Sequence, residues 1–88
     1  MTAESVAASS LSPQVLMVAR IAALAAVDAP AISYAMNLEA AGNVGLDADV
    51  VSGILAAVAP IIGTPRVASA IAKIGEVLAI ELESQQRG

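Results

Sequence analysis

The 88-residue sequence contains no cysteine and no histidine. The absence of cysteine excludes disulfides, thiolate metal sites and thiol nucleophiles, and the absence of histidine removes the commonest general base and metal ligand. Any chemistry is left to Asp, Glu, Lys, Arg, Ser, Thr and Tyr side chains. We therefore predict that the protein has no metal site and no cofactor.

Basic and aromatic residues are also scarce. Four Lys and Arg residues stand against eight Asp and Glu residues, which gives a net charge of −4. Because the basic residues are spread along the chain and form no stripe, we predict no nucleic-acid partner. Tyr34 is the only aromatic residue, so the core should consist of small aliphatic side chains that let helices approach closely.

Long uninterrupted apolar runs are missing, although a membrane-spanning helix needs about 20 apolar residues. The longest uncharged stretch, residues 50–65, is broken by Gly53, Pro60 and Gly63. No Lys or Arg precedes Arg20, so the N-terminus lacks the basic start of a secretory signal. We predict no membrane association and expect a cytoplasmic location.

Aliphatic residues dominate the composition of the chain. Hydrophobic residues make up 58% of the chain, and the mean hydropathy is +0.81. A single domain of this length has too little interior to bury that much apolar material. The composition therefore predicts self-association into a homo-oligomer.

The spacing of capping residues, prolines and glycines predicts four helices in one domain that spans residues 12–83, with tails at 1–11 and 84–88. Each helix start combines a capping residue with a proline or an acidic first turn. Glycines in the turns supply the left-handed conformations that end helices. The predicted helices cover residues 13–27, 30–42, 48–62 and 65–83, and their N-caps are Ser12, Asp28, Asp47 and Thr64.

The apolar patterns also predict how these helices are arranged. The first helix is apolar around nearly its whole circumference, so it should be central. The short turn at Gly45 makes the second and third helices antiparallel neighbours. On the last helix, Val77 and Ile80 fall off the main apolar seam and form a second facet that needs a partner. Lys73 and Glu76 are expected to form an exposed pair.

Three motifs occur in a recognisable order: Asn37-x3-Ala41-x3-Gly45, a helix start at Asp47 with Asp49 and Val50, and Gly63-Thr64-Pro65 before an alanine-rich helix. Over residues 12–82 this order is similar to that of the carboxymuconolactone decarboxylase and alkylhydroperoxidase D family. The resemblance implies a small all-α, four-helix domain with a helical hairpin at its core. It also implies a homo-oligomer, a trimer or a hexamer.

In the peroxidase branch of that family the signature is Glu-x4-Cys-x2-Cys-x3-His. If its histidine aligns with Asn37, the cysteines fall on Pro30 and Ser33 and the glutamate falls on Ala25. None of these four positions carries the residue of the signature. Neither proline nor serine can replace a thiolate in a redox cycle, and asparagine cannot shuttle a proton near neutral pH.

The remaining polar candidates are Arg20, Ser33, Tyr34, Asn37 and Glu39. Arg20 lies midway along an apolar helix, where its charge requires a carboxylate or a ligand. It either pairs with Glu39, extends its stem to a surface, or binds a small acidic molecule. Ser33, Tyr34, Asn37 and Glu39 either line a small polar pocket, with Arg20 as a further ligand-binding residue, or have ordinary roles. In the second case Tyr34 fills a subunit contact, Asn37 is bonded to backbone and Glu39 is solvated.

Two functions follow from these observations. The first is a helical oligomer that has lost thiol peroxidase catalysis and has a structural, binding or accessory role. The alternative is a cysteine-independent decarboxylase or lactone-processing enzyme that acts on a small carboxylate. In that alternative, Arg20 orients the anion and Glu39 is the general base.

Overall fold

The computed structural model describes residues 10–87, so most of the predicted N-terminal tail lies outside the described residues. The described part of the chain contains four α-helices and no strand: α1 Pro13–Ala26, α2 Ala31–Asn43, α3 Ala48–Ile62 and α4 Thr64–Arg87. The prediction of a small all-α, four-helix domain is confirmed. The last helix ends four residues beyond its predicted end.

Two of the predicted N-caps are confirmed by their hydrogen bonds. The Ser12 hydroxyl accepts a hydrogen bond from the backbone N–H of Val15 at 3.2 Å, and Pro13 is the first helical residue. The Asp47 carboxylate accepts one from the backbone N–H of Val50 at 3.0 Å. Thr64 is the first residue inside α4 rather than the residue before it.

The predicted N-cap at Asp28 is wrong, because Asp28 ends α1 instead of starting α2. Pro30 occupies the N-cap position of α2 and makes no side-chain capping bond. Asp28 has a left-handed φ of 52°, and the N–H of Ala29 donates to the carbonyl of Leu24 at 3.0 Å. This Schellman ending is the one that Gly45 gives to α2, and aspartate is among the few residues that tolerate the left-handed conformation.

The Asp28 side chain then joins the end of α1 to α4. Its carboxylate accepts a 2.6 Å hydrogen bond from the Ser69 hydroxyl and a 2.9 Å bond from the Lys73 ammonium. The same ammonium donates to the carbonyl of Ala29 at 2.9 Å, so a cation lies at the C-terminal end of α1, where the helix dipole favours it. Lys73 is thus paired with Asp28, and its predicted exposed pairing with Glu76 is wrong.

Helix α1 contacts all three other helices, as predicted, and so does α4. Helices α2 and α3 make little or no contact with each other, so the prediction that they are antiparallel neighbours is wrong. The reason is a close approach of α1 and α4 across the bundle. Ala25, Ala29 and Ala70 pack in one buried cluster, and side chains this small bring the two helices together and leave α2 and α3 on opposite sides.

The core consists of two clusters of buried side chains, and Leu38 packs against both. Only one face of α1 contributes to it, through Met17, Ile21 and Ala25. The opposite face of this helix is also apolar but lies at the surface, and Val15 is half exposed there. Within this chain, therefore, α1 is buried along a stripe and not around its circumference. The buried residues of the core are Met17, Ile21, Ala25, Ala29, Tyr34, Ala41, Ile54, Leu55 and Ala70.

Replacing Asp28 with asparagine tests the tie between α1 and α4. Asparagine tolerates the left-handed backbone but removes the charge that Lys73 neutralises. We expect Asp28→Asn to lower the melting temperature at neutral pH more than Glu76→Gln, a matched loss of one exposed charge. Hydrogen bonds from Ser69 and then Lys73 hold the pKa of Asp28 below its usual 3.8.

This lowered pKa fixes the pH dependence of the effect. The carboxylate stabilises the fold fully above pH 3.8, and its contribution is lost as the pH falls through the lowered pKa. The difference in melting temperature between wild type and Asp28→Asn should therefore shrink in strong acid. Thermal unfolding followed by circular dichroism measures this difference. An equal difference at neutral pH and in strong acid would contradict this account.

Candidate functional site

Tyr34, predicted to line a ligand pocket, lies in the core. It is 1% exposed and packs in the cluster of Ala25, Leu55 and Ala70. Its hydroxyl is buried and has no hydrogen-bond partner among the described residues. The alternative prediction, that Tyr34 fills a subunit contact, is equally wrong, because the ring is covered by the chain's own helices.

Ser33 and Asn37 lie one turn apart on α2 and are both half-buried. The Asn37 side-chain amide donates a 2.8 Å hydrogen bond to the backbone carbonyl of Ser33. This confirms the alternative in which Asn37 is bonded to backbone. The positions at which the resemblance places a cysteine and a histidine are thus joined by a local hydrogen bond within the helix.

The other two positions of the signature differ in their surroundings. Ala25 is fully buried in α1, and Pro30 is exposed at the start of α2. Four side chains that would have to act together in a thiol peroxidase are therefore divided between the core, a helix turn and the surface.

Arg20 and Glu39 lie on different helices. Arg20 is half-buried on α1, whereas Glu39 is exposed on α2. Of two clefts on the described surface, one beside α3 and one between α2 and α4, Glu39 lines the second and Arg20 lines neither. The five predicted site residues therefore do not share either cleft.

The first cleft lies where α2 and α3 fail to meet, above α4, and has a volume of about 370 Å³. Its walls are mainly aliphatic, and its charged lining residues are Asp47 and Glu81. Asp47 already caps α3. The lining comes from all three helices and the turn before α3: Leu38, Leu46, Asp47, Ala48, Val51, Ser52, Leu55, Ile71, Ile74, Gly75, Leu78 and Glu81.

The second cleft lies between α2 and α4 and has a volume of about 500 Å³. Its apolar lining includes Val77 and Ile80, which are the second facet that the sequence predicted on the last helix. The sequence did not predict that three glutamates would surround that facet. The lining residues are Ala31, Ile32, Ala35, Met36, Glu39, Glu76, Val77, Ile80 and Glu81.

Neither cleft carries a basic side chain, and both carry carboxylates. An acidic small molecule, the ligand considered for Arg20, would be repelled from both. Within residues 10–87, no group of three or more acidic side chains is placed to hold a metal ion. No helix in that part of the chain has the length and apolar character needed to cross a membrane.

Tyr34→Phe tests whether the buried hydroxyl contributes to stability. Because the hydroxyl has no partner within residues 10–87, its removal should leave the free energy of unfolding unchanged or raise it by up to about 1 kcal/mol. Tyr34→Ala, which also removes the ring, should cost about 3–5 kcal/mol. Urea unfolding followed by circular dichroism measures both. A clear loss of stability in Tyr34→Phe would show that the hydroxyl donates a hydrogen bond.

Tyr34 also gives a spectroscopic test, because it is the only aromatic residue. Burial, and secondly the nearby Asp28 carboxylate, raise the pKa of Tyr34 above its ordinary 10.0. The neutral phenol therefore stabilises the fold fully below pH 10.0, and this contribution is lost as the pH rises through the raised pKa. Ultraviolet titration should show ionisation later than in free tyrosine and together with unfolding, and ionisation of the folded protein at the ordinary pKa would contradict the burial.

Comparison of the chain with protein-family models, with curated proteins and with solved structures finds no match. The all-α architecture is established by the fold itself. The resemblance to the carboxymuconolactone decarboxylase and alkylhydroperoxidase D family rests on the three motifs in this sequence.

Proposed function

We propose that this chain is a helical scaffold of the alkylhydroperoxidase D-like type that acts as a homo-oligomer and has a structural or binding role in place of catalysis. The proposal rests on the many large apolar side chains that are exposed at the surface of the single chain. Surfaces of this kind are typical of subunit contacts. The exposed large hydrophobic residues include Leu11, Val15, Val27, Ile32, Met36, Val50, Ile61, Ile71, Leu78, Ile80 and Leu82.

The end of α4 is the strongest single indication of a partner subunit. Helix α4 has 24 residues and α3 has 15, so at 1.5 Å per residue α4 is longer by about 13 Å. All described side chains from 78 to 86 are exposed. Helices in proteins depend mainly on packing for their stability, and the apolar Leu78 and Leu82 lie one turn apart at this end.

The condition of the polar residues supports the loss of catalysis. The chain has no cysteine and is therefore not a thiol peroxidase. Asn37 is bonded within its own helix, and Tyr34 is enclosed in the core. Lys73 and Asp28 form a 2.9 Å ion pair that joins α4 to the end of α1.

Sedimentation of the purified chain tests the proposal directly. We expect a mass that is a multiple of 8.7 kDa, with a trimer or hexamer as the resemblance implies. Leu78→Gln with Leu82→Gln should raise the dissociation constant at least about tenfold, because burying one leucine contributes about 1.5–3 kcal/mol. Both side chains are exposed, so the monomer should remain folded.

The matched control is Ala79→Gln with Ser84→Gln, which adds two glutamines to the same exposed helix end but leaves its leucines intact. This control should sediment like the wild type. A wild-type chain that remains a monomer at all concentrations would refute the proposal. If Leu78→Gln with Leu82→Gln leaves the sedimenting mass unchanged, the subunit contact lies elsewhere, and equal weakening by both pairs would show that the leucines are not specifically required.

A further inference from the structure

We infer that the cleft between α2 and α4 binds a cationic amphipathic helix of a partner protein. The floor of this cleft is apolar and accessible: Met36 is 67% exposed and Ile80 is 61% exposed. Both residues are long and flexible or branched, and they lie on two different helices. A groove between two helices with such side chains suits the apolar face of a third helix.

The charged side chains around the floor of the cleft indicate that the partner carries positive charge. Glu39 lies on the α2 side, and Glu76 and Glu81 lie on the α4 side. None of the lining residues is basic. A helix with aliphatic residues on one face and lysine or arginine on its flanks would place its cations against these carboxylates on both sides of the groove.

A second copy of this chain fits the same cleft poorly. The chain has eight acidic and four basic residues, and one of the basic residues, Lys73, is held by Asp28. A symmetric contact through this cleft would place the three glutamates of one copy against those of the other. Repulsion between these like charges would weaken the contact. The cleft therefore differs from the apolar helix end assigned above to self-association.

The length of the cleft sets the size of a suitable probe. On α2 the lining runs from Ala31 to Glu39, which is about 12 Å, or slightly more than two helical turns. Because short helices are marginal in water, a probe of about 14 residues is suitable. We would use a fluorescent peptide that repeats leucine and lysine at helical spacing, with a second peptide carrying glutamate in place of every lysine.

Fluorescence anisotropy with these peptides and full-length protein tests the inference. The lysine peptide should bind, more weakly as salt is added, and the glutamate peptide should not. Glu39→Gln with Glu76→Gln should weaken binding by roughly tenfold, since each exposed charge pair contributes modestly. Met36→Gln with Ile80→Gln should weaken it at least as much. Glu81 is left intact because it borders both clefts.

The control for charge is Asp49→Asn with Glu83→Gln, which removes two negative charges outside this cleft. It should bind the lysine peptide like the wild type. Equal weakening by the control and the cleft pair would overturn the inference in favour of general attraction to an acidic protein, and so would binding of the glutamate peptide. If the peptide fails to bind and Met36→Gln with Ile80→Gln lowers the sedimenting mass, a second copy occupies the cleft and the inference is wrong.

Discussion

The close approach of α1 and α4 is the constraint on which the rest of the structure depends. It requires alanine at Ala25 and Ala70, and it is fixed at one end by the bonds of Asp28 to Ser69 and Lys73. A left-handed residue must end α1 here, and only a residue with an acidic side chain can both make that turn and pair with Lys73. Glycine would make the turn but leave the ammonium without its carboxylate.

This approach also explains the surface of the domain. When two helices meet across the centre of a four-helix arrangement, the other two are held apart, and a groove opens between them over one helix of the central pair. The first cleft lies between the separated α2 and α3, and the second follows the contact of α2 with α4. Small central residues therefore lead to a small interior, in which Tyr34 is the largest side chain, and to an apolar exterior. Burial of that ring contributes roughly 4–6 kcal/mol as an upper estimate, a large share for one residue in a domain of this size.

Local rules predicted the helices well, because a cap or a left-handed residue acts through its nearest neighbours. Ser12 and Asp47 are caps for the expected reason. Asp28 was misassigned because the same residue suits an N-cap and a left-handed C-terminus, and the choice depends on Lys73, 45 residues away. The arrangement of α2 and α3 was wrong because a short turn limits the distance between helix ends but not the partner against which each helix packs. The prediction that Tyr34 lines a pocket is wrong for a similar reason. Helical spacing places Tyr34 near Asn37 on α2, but spacing alone cannot show whether Tyr34 faces solvent or packs against core residues such as Leu55.

The two proposed surfaces share one helix, and this has a consequence for how they act together. Ile80 and Glu81 of the second cleft lie in the same exposed end of α4 as Leu78 and Leu82. A subunit contact through the leucines would order this end and hold the cleft residues in their helical positions before a partner helix arrives. Binding to an ordered segment loses less conformational entropy, so self-association and binding in the cleft should favour each other, and by linkage each should strengthen the other by the same factor. Because the acidic rim disfavours a symmetric contact in the cleft itself, the proposed oligomer would leave that groove open.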